Sequence, residues 1–302
     1  MFKVNFLFLY FITQLACANE FISNYCDQYY FSYVNAKNVQ PILNVDKVYR
    51  KIHEWEKLKF KDEILVKKIG ESEGQDILRL DLPSKNPTAK RILITAGLHG
   101  NEPFGVTALL EFIERTVSDL NLRNEFEFVF IPMINPKALK NSTRLNSEGI
   151  DLNRTFSRTT QIPLSKTVMN SLQNETFAMA IDLHGSIIRE GFFIIRSIES
   201  NENLAKAALR NIPNELILKS NQSIYPEIIP SVKDPTKPAY ELLSPGIATS
   251  FNKGTLKDYF STELNIKNSF TFEYPGQINV FERQNEYVKI IQNIVNELKK
   301  IE

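Results

Sequence analysis

Short apolar segments rich in β-branched residues alternate along this chain with segments that have the period of an amphipathic helix. We predict strands over residues 64–71, 76–82, 91–96, 127–134, 178–183, 191–196 and 269–273. We predict helices over residues 46–60, 103–117, 201–210 and 280–300. The stretch 212–267 gives no clear element. This alternation predicts an α/β fold: a mixed, mostly parallel twisted sheet with helices on both faces.

Length and composition indicate one folded unit. The 302 residues are 43% hydrophobic, which is enough for a large core, and no linker-like or low-complexity tract divides them. The 36 basic and 35 acidic residues leave a net charge of +1 and no basic stripe, which argues against a nucleic-acid partner. We therefore predict a single domain over residues 19–302.

The N-terminus has the pattern of a secretory signal peptide. One early lysine precedes an apolar stretch, and Ala16-x-Ala18 then supplies the small residues of a cleavage site. The apolar stretch is too short for a convincing membrane span. We therefore predict that residues 1–18 are a signal peptide, and that the protein is periplasmic or secreted, with no stable membrane insertion after cleavage.

The two cysteines bear on whether the exported protein has a lipid anchor or a disulfide. A lipoprotein anchor at Cys17 is the alternative to simple cleavage, but Gln14 occupies the position where such signals carry leucine. After cleavage only Cys26 remains, so no intramolecular disulfide can form.

Two of the three histidines follow predicted strands. His99 opens the sequence HGNE, in which the spacing to Glu102 lets an imidazole and a carboxylate reach one ion, and His184 ends the apolar run AIDLH. The carboxyl ends of strands are where α/β sheets bind ligands. Two nitrogens and one carboxylate leave a fourth tetrahedral position for water, which is typical of a catalytic zinc. His53 lies in a predicted amphipathic helix and is interpreted as structural.

Five sequence blocks in order extend this pattern to a family resemblance. They are IGESEGQDILRLDL, LHGNE, INPKALKNSTRLNSEGIDLNRTF, AIDLHG and NSFTFEYPGQ. From about Asp46 to the C-terminus, the chain resembles the zinc metallocarboxypeptidase family of the funnelin type. The succinylglutamate desuccinylase, aspartoacylase and murein-peptide amidase branches are near kin. Gln75 stands where the family pattern usually has arginine.

The resemblance implies a metal site and a general base. By this similarity, His99, Glu102 and His184 are the ligands of one zinc ion per chain. Glu273, in the sequence FTFEYPG, is the general base.

The resemblance also implies groups that contact the substrate. Arg144 matches the arginine that polarises the scissile carbonyl, and Asn153 with Arg154 matches the pair that grips a terminal carboxylate. A guanidinium beside an amide suits bidentate binding of a carboxylate. Asp151 matches the acid that receives the free ring N–H of the first histidine, which would fix its tautomer.

Each of these residues also has an ordinary structural interpretation. Glu273 could be a strand-end acid, Arg144 a solvated loop arginine, and Asp151 the cap of a turn. Asp182 could either accept from a ring N–H of a metal ligand or serve as a strand-end hydrogen-bonding group. For Asp182 both interpretations stay open.

The predicted function is zinc-dependent hydrolysis of a C-terminal peptide or isopeptide bond, with peptidoglycan-derived peptides as candidate substrates. The alternative is a zinc-dependent N-acyl amino acid deacylase of the aspartoacylase type, and a silent relative that binds peptide termini is a third hypothesis. The partner in the first two is a peptide or acyl amino acid with a free carboxylate. The single helix predicted after Glu273 favours the carboxypeptidase architecture. The motifs HGNEP and DLNRTF, by contrast, are similar in sequence to those of the desuccinylase and murein-peptide amidase branches.

The residues that select the substrate side chain are not fixed by the sequence. Tyr240 and Tyr259 are both candidates for the active-site tyrosine of the family. Leu256 or Lys257 would form the bottom of the side-chain pocket, so an apolar pocket and one that accepts an acid are both open.

Overall fold

The computed structural model describes residues 31–34, 41–186, 189–219, 241–250, 253–276 and 283–301. The strands within these ranges are β1 Phe31–Val34, β2 Pro41–Leu43, β3 Leu65–Ser72, β4 Gln75–Leu82, β5 Lys90–Ala96, β6 Phe126–Ile131, β7 Met179–Ser186, β8 Phe193–Arg196, β9 Glu241–Ser244, β10 Ile247–Thr249 and β11 Asn268–Pro275. The α-helices are α1 Val45–Glu54, α2 Phe104–Ser118, α3 Leu120–Glu125, α4 Pro136–Asn141, α5 Pro163–Leu172, α6 Glu202–Ala208, α7 Leu256–Thr262 and α8 Gln284–Leu298.

Nine strands form one sheet in the order β3-β4-β6-β5-β7-β11-β8-β10-β9, and β1 pairs with β2 separately. The four central strands, β6, β5, β7 and β11, are parallel to one another. Both margins contain antiparallel pairs, such as β3 with β4 and β9 with β10. The predicted mixed α/β sheet is confirmed.

The strand side chains divide into two cores by simple alternation. In β7, Met179, Ile181 and Leu183 face the core that contains α2 and α8, whereas Ala180 faces the core that contains α5 and α7. The sheet is therefore covered on both faces, as predicted. By the same alternation, His184 points to the side of α5 and α7.

Two glycines permit close approaches beside the predicted ligands. A Cβ atom at Gly100 would lie 1.9 Å from the carbonyl oxygen of Ala138 in α4, so the turn after β5 packs directly on that helix. A Cβ atom at Gly105 would lie 2.9 Å from the carbonyl oxygen of Leu183. The first turn of α2 therefore packs against the backbone of β7 immediately before His184.

The structure corrects the bounds of several strands. The strand predicted to end at residue 134 ends at Ile131, and the strand predicted to end at residue 183 continues to Ser186. The extension of β7 arises because it pairs with β11 as far as Ser186. His184 therefore lies inside a strand, and not just beyond its end as predicted.

Several helices fall where the sequence predicted a loop or no element. Helix α4 lies in the predicted loop 135–156; Asn135 caps it by accepting from the backbone N–H of Ala138 at 3.2 Å, and Pro136 occupies its first turn. Helix α7 lies in the unassigned stretch 212–267 and is capped by Thr255. The predicted helix 46–60 is α1 followed by a π-helical turn at Trp55–Lys59.

The described helices include none with the length and apolar character that a membrane crossing requires. The predicted signal peptide, Cys17 and Cys26 lie outside the described residues, so the export of this protein stays a prediction.

Candidate metal centre

The turn after β5 brings the first histidine and the first carboxylate together. Gly97 adopts a positive φ of 69° just past the end of β5 and turns the chain toward α2. Within this turn, Nδ1 of His99 lies 3.0 Å from Oε1 of Glu102. Both side chains are buried.

The second histidine completes the cluster from the neighbouring strand. In His184, Nδ1 lies 2.8 Å from Oε2 of Glu102 and 3.1 Å from Nδ1 of His99. The backbone N–H of Gly185 donates to the same Glu102 oxygen at 3.0 Å. The three predicted ligands thus meet at one buried point, where one ligand atom from each lies within 4.8 Å of the others.

Each imidazole has a carboxylate at its other ring nitrogen. In His99, Nε2 lies 3.0 Å from Oδ1 of Asp151, and in His184, Nε2 lies 2.8 Å from Oδ2 of Asp182. The hydroxyl of Thr95 donates to the other oxygen of Asp182 at 2.7 Å. With a metal ion at the shared point, these partners would hold the proton on Nε2 and leave the Nδ1 lone pair for the ion. Of the two interpretations of Asp182, the structure supports the partner of the ring.

The donor set fits a zinc ion. Zinc–nitrogen bonds of ~2.0–2.1 Å in a tetrahedral site place neighbouring ligand atoms ~3.3 Å apart. The observed separation of the two Nδ1 atoms is 3.1 Å. The two Nδ1 atoms and the carboxylate oxygens of Glu102 converge on this point, so one cation placed there would be shared by all three residues.

Burial and charge set the protonation of the cluster. Burial would raise the pKa of Glu102, but the adjacent imidazoles of His99 and His184 hold it well below the usual range. Burial likewise opposes ionisation of Asp151, whereas its hydrogen bond to His99 and the charge of Arg144 lower its pKa. Both carboxylates are therefore anions, as ligands and their supporting acids must be.

Arg144 lies against this cluster. One of its terminal nitrogens lies 3.0 Å from Oε1 of Glu102, and the other lies 3.2 Å from Oδ2 of Asp151. Its side chain is 21% exposed. The structure therefore excludes the interpretation of Arg144 as a solvated loop arginine and places its positive charge at the rim of the metal centre.

Glu273 sits beside His184 in the sheet. The two residues are register partners in the parallel pair β11 and β7, so their backbones lie about 4.8 Å apart. Phe272 and Tyr274 face the core of α2 and α8, so the half-buried Glu273 points to the opposite side, as His184 does. Because β11 continues to Pro275, Glu273 is not a strand-end acid.

The predicted carboxylate-binding pair lies on a 3₁₀ turn next to the cluster. Asp151 caps this turn by accepting from the backbone N–H of Asn153 at 2.9 Å, so it is both a cap and a partner of His99. The amide oxygen of Asn153 accepts from the backbone N–H of Leu256 at 2.9 Å, and its amide nitrogen lies 3.5 Å from Nε2 of His184. Arg154 is exposed.

Three of the four candidates for the active-site tyrosine and the side-chain pocket lie among the described residues. Tyr259 packs in the core of α5 and α7 and donates its hydroxyl to the carbonyl oxygen of Met169 at 3.4 Å, so it is a core residue. Leu256 is fully buried in the same core. The ammonium of Lys257 is buried, pairs with Asp258 and donates to the carbonyl oxygen of Ser250 at 3.0 Å. Tyr240 lies outside the described residues.

His53 lies apart from this centre. Its side chain is 49% exposed and pairs with Glu56 at 3.3 Å on the first helical segment, which agrees with its structural interpretation.

The turn after β5 and the neighbouring parallel strand β7 bring two histidines and a glutamate to one buried point, which is a donor set typical of a catalytic zinc site. The profile of the zinc carboxypeptidase family matches residues 53–297 of this chain. The chain therefore belongs to the zinc carboxypeptidase family, and it is a zinc metallopeptidase by that membership.

Known proteins are similar to this chain in sequence and in fold. Carboxypeptidase D of Mus musculus is 26% identical over 157 residues, which span 45% of this chain but only 11% of that protein. A metallopeptidase-like protein of Shewanella denitrificans superposes with a TM-score of 0.70 at 15% identity, covering 89% of this chain and 96% of its own. Bovine thrombin-activatable fibrinolysis inhibitor superposes with a TM-score of 0.62 at 17% identity, covering 86% and 98%. The two structural likenesses show the fold alone.

Proposed function

We propose that this protein is a zinc-dependent carboxypeptidase that hydrolyses the C-terminal peptide or isopeptide bond of a peptide with a free carboxylate. The observation that carries the proposal is the register of β11 with β7. It sets Glu273, a carboxylate that is not part of the ligand cluster, directly beside His184. A metal centre with a separate acid next to it has the two components that hydrolysis of an amide requires.

Each charged group of the site has a proposed role. His99, Glu102 and His184 hold the zinc, which when bound polarises the scissile carbonyl and acidifies water. Glu273 accepts the proton of the attacking water and passes it to the leaving amine. Arg144 meets the negative charge that develops on the carbonyl oxygen.

Asn153 and Arg154 are proposed to bind the terminal carboxylate of the substrate. The hydrogen bond from Leu256 to the amide oxygen of Asn153 turns the amide N–H group toward His184, where an acceptor on the substrate can meet it. Arg154 follows in the chain and exposes its side chain. An amide N–H and a guanidinium together match the acceptors of one carboxylate.

This role predicts that the enzyme requires a free C-terminus. A peptide with a free carboxylate should be cleaved with a kcat/KM roughly 30-fold to several thousand-fold higher than its amidated twin. The bound peptide would cover Arg154, and losing one partner of a charge pair desolvated in this way costs about 2–5 kcal/mol. Arg154→Ala should lower the ratio of kcat/KM between the free and the amidated peptide. The matched control is Arg158→Ala, since Arg158 is 76% exposed and pairs with Glu263.

The outcome of this comparison separates the candidate activities. Equal cleavage of the free and amidated peptides would reject exopeptidase action. Cleavage of short N-acyl amino acids without cleavage of blocked dipeptides would favour the deacylase instead.

The cellular setting and the natural substrate are also proposals. The signal-like sequence of residues 1–18 supports export to a periplasm or to the medium. An exported enzyme without disulfides suits cell-wall peptides, so we propose peptidoglycan-derived peptides as the substrate class.

A further inference from the structure

Helix α8 places one buried tyrosine hydroxyl beneath the candidate site. The hydroxyl of Tyr287 lies 2.9 Å from the carbonyl oxygen of His184 and 2.9 Å from the carbonyl oxygen of Phe272. The first carbonyl belongs to a proposed zinc ligand, and the second to the residue that precedes Glu273. One side chain thus contacts both strands at the level where the proposed ligand and the proposed base stand.

The contact comes from the opposite side of the sheet. Tyr287 packs with Phe272 in the core of α2 and α8, whereas the side chains of His184 and Glu273 point to the other face. The hydroxyl therefore contacts neither the imidazole of His184 nor the carboxylate of Glu273. It contacts the backbone of the two strands that carry them. A carbonyl oxygen has two lone pairs, so it can accept from this hydroxyl in addition to a sheet partner.

Neighbouring rings hold the hydroxyl in place. The ring of Tyr287 lies 5.3 Å from that of Tyr274 and 5.9 Å from that of Phe192, and Tyr274 stacks on Phe104 at 4.9 Å. Tyr274 directly follows Glu273, so this aromatic cluster is continuous with the strand that carries the proposed base. Such packing restricts the tyrosine to one rotamer.

The phenolic hydroxyl of Tyr287 has one proton, and the two carbonyl oxygens of His184 and Phe272 lie at the same distance of 2.9 Å, so this proton is shared between the two strands.

We propose that Tyr287 is a positioning residue that fixes the proposed base Glu273 relative to the proposed ligand His184 through the backbone carbonyls of β7 and β11. The proposal rests on the proposed function. The alternative is that Tyr287 is a core tyrosine that satisfies its hydroxyl with the nearest acceptors and has no effect on the site.

Tyr287→Phe tests this directly, with Tyr49→Phe as the matched control. Tyr49 also donates its hydroxyl to a backbone carbonyl, that of Asp76 in β4, and β4 lies three strands away from β7. Each variant loses one hydroxyl-to-carbonyl hydrogen bond and keeps its ring. Both should therefore lower the midpoint of thermal unfolding, and Tyr287→Phe by the larger amount, because Tyr287 is fully buried whereas Tyr49 is half-buried.

The two variants should differ at the site. At saturating zinc and well below both unfolding midpoints, Tyr287→Phe should lower kcat roughly 2- to 10-fold with KM unchanged, the range that one net hydrogen bond supplies. Its zinc dissociation constant, measured by competition with a chelator, should rise by a similar factor. Tyr49→Phe should leave both quantities unchanged.

A Tyr287→Phe protein that is less stable than the wild type, but keeps the wild-type kcat and zinc affinity, would overturn the proposal. The zinc measurement needs no substrate. It therefore tests Tyr287 even if the peptides chosen for the proposed function are not cleaved.

Discussion

Replacing His184 by alanine is expected to remove both zinc and hydrolytic activity. The imidazole contributes one of three donors at the buried point, and the two that remain cannot hold the ion in an open catalytic site. The substitution also removes one of the partners of Asp182 and one of the partners of Glu102, each at 2.8 Å. Metal analysis and peptide hydrolysis measure the two losses.

The control for this prediction is His53→Ala, because the side chain of His53 is 49% exposed and pairs with Glu56, away from the metal centre. It should keep full zinc content and activity. A His184→Ala protein that retained stoichiometric zinc and normal turnover would remove His184 from the metal centre.

Glu273→Gln should keep the fold and the zinc but lower turnover by ~10²- to 10⁴-fold, since the amide cannot accept a proton from water. Glu102→Gln should instead weaken the binding of zinc. Glu102 lies within 3.0 Å of both imidazoles and accepts from Gly185, so its loss of charge weakens zinc binding itself.

The two variants are compared by zinc content and by kcat at saturating zinc. If Glu273→Gln lost zinc as readily as Glu102→Gln, the proposed division of roles between the two carboxylates would be wrong.

The sequence predicted the parts of this fold that depend on local pattern. The strands β5 and β7 are short apolar runs, and their alternation with helical segments indicated a sheet covered on both faces. The extension of β7 past His184 was missed because it depends on pairing with β11, which is distant in the sequence. Helix α4 was missed although Asn135 and Pro136 form an ordinary start signal, since the polar residues around them resemble a loop.

For the candidate site too, contacts between residues far apart in the sequence could not be predicted from local pattern. The spacing of His99 and Glu102 is local and was visible, but the partner of His99 at Asp151 lies 52 residues away and was inferred only through the family resemblance. The role of Asp182 was left open although it lies two residues before His184; its other contact, the hydrogen bond from Thr95 87 residues away, appears only in the folded sheet. The apolar face of α8 was predicted, whereas the contacts of Tyr287 with His184 and Phe272 appear only once the helix has packed on the sheet.

The measurement that tests the metal centre most directly is a zinc titration of the protein after chelation. Three protein ligands and an open position predict that activity is lost on chelation and returns in proportion to added zinc until about one ion is bound per chain. His99→Ala, titrated in parallel, should show no such endpoint. A wild-type protein that stays fully active without metal would contradict the account.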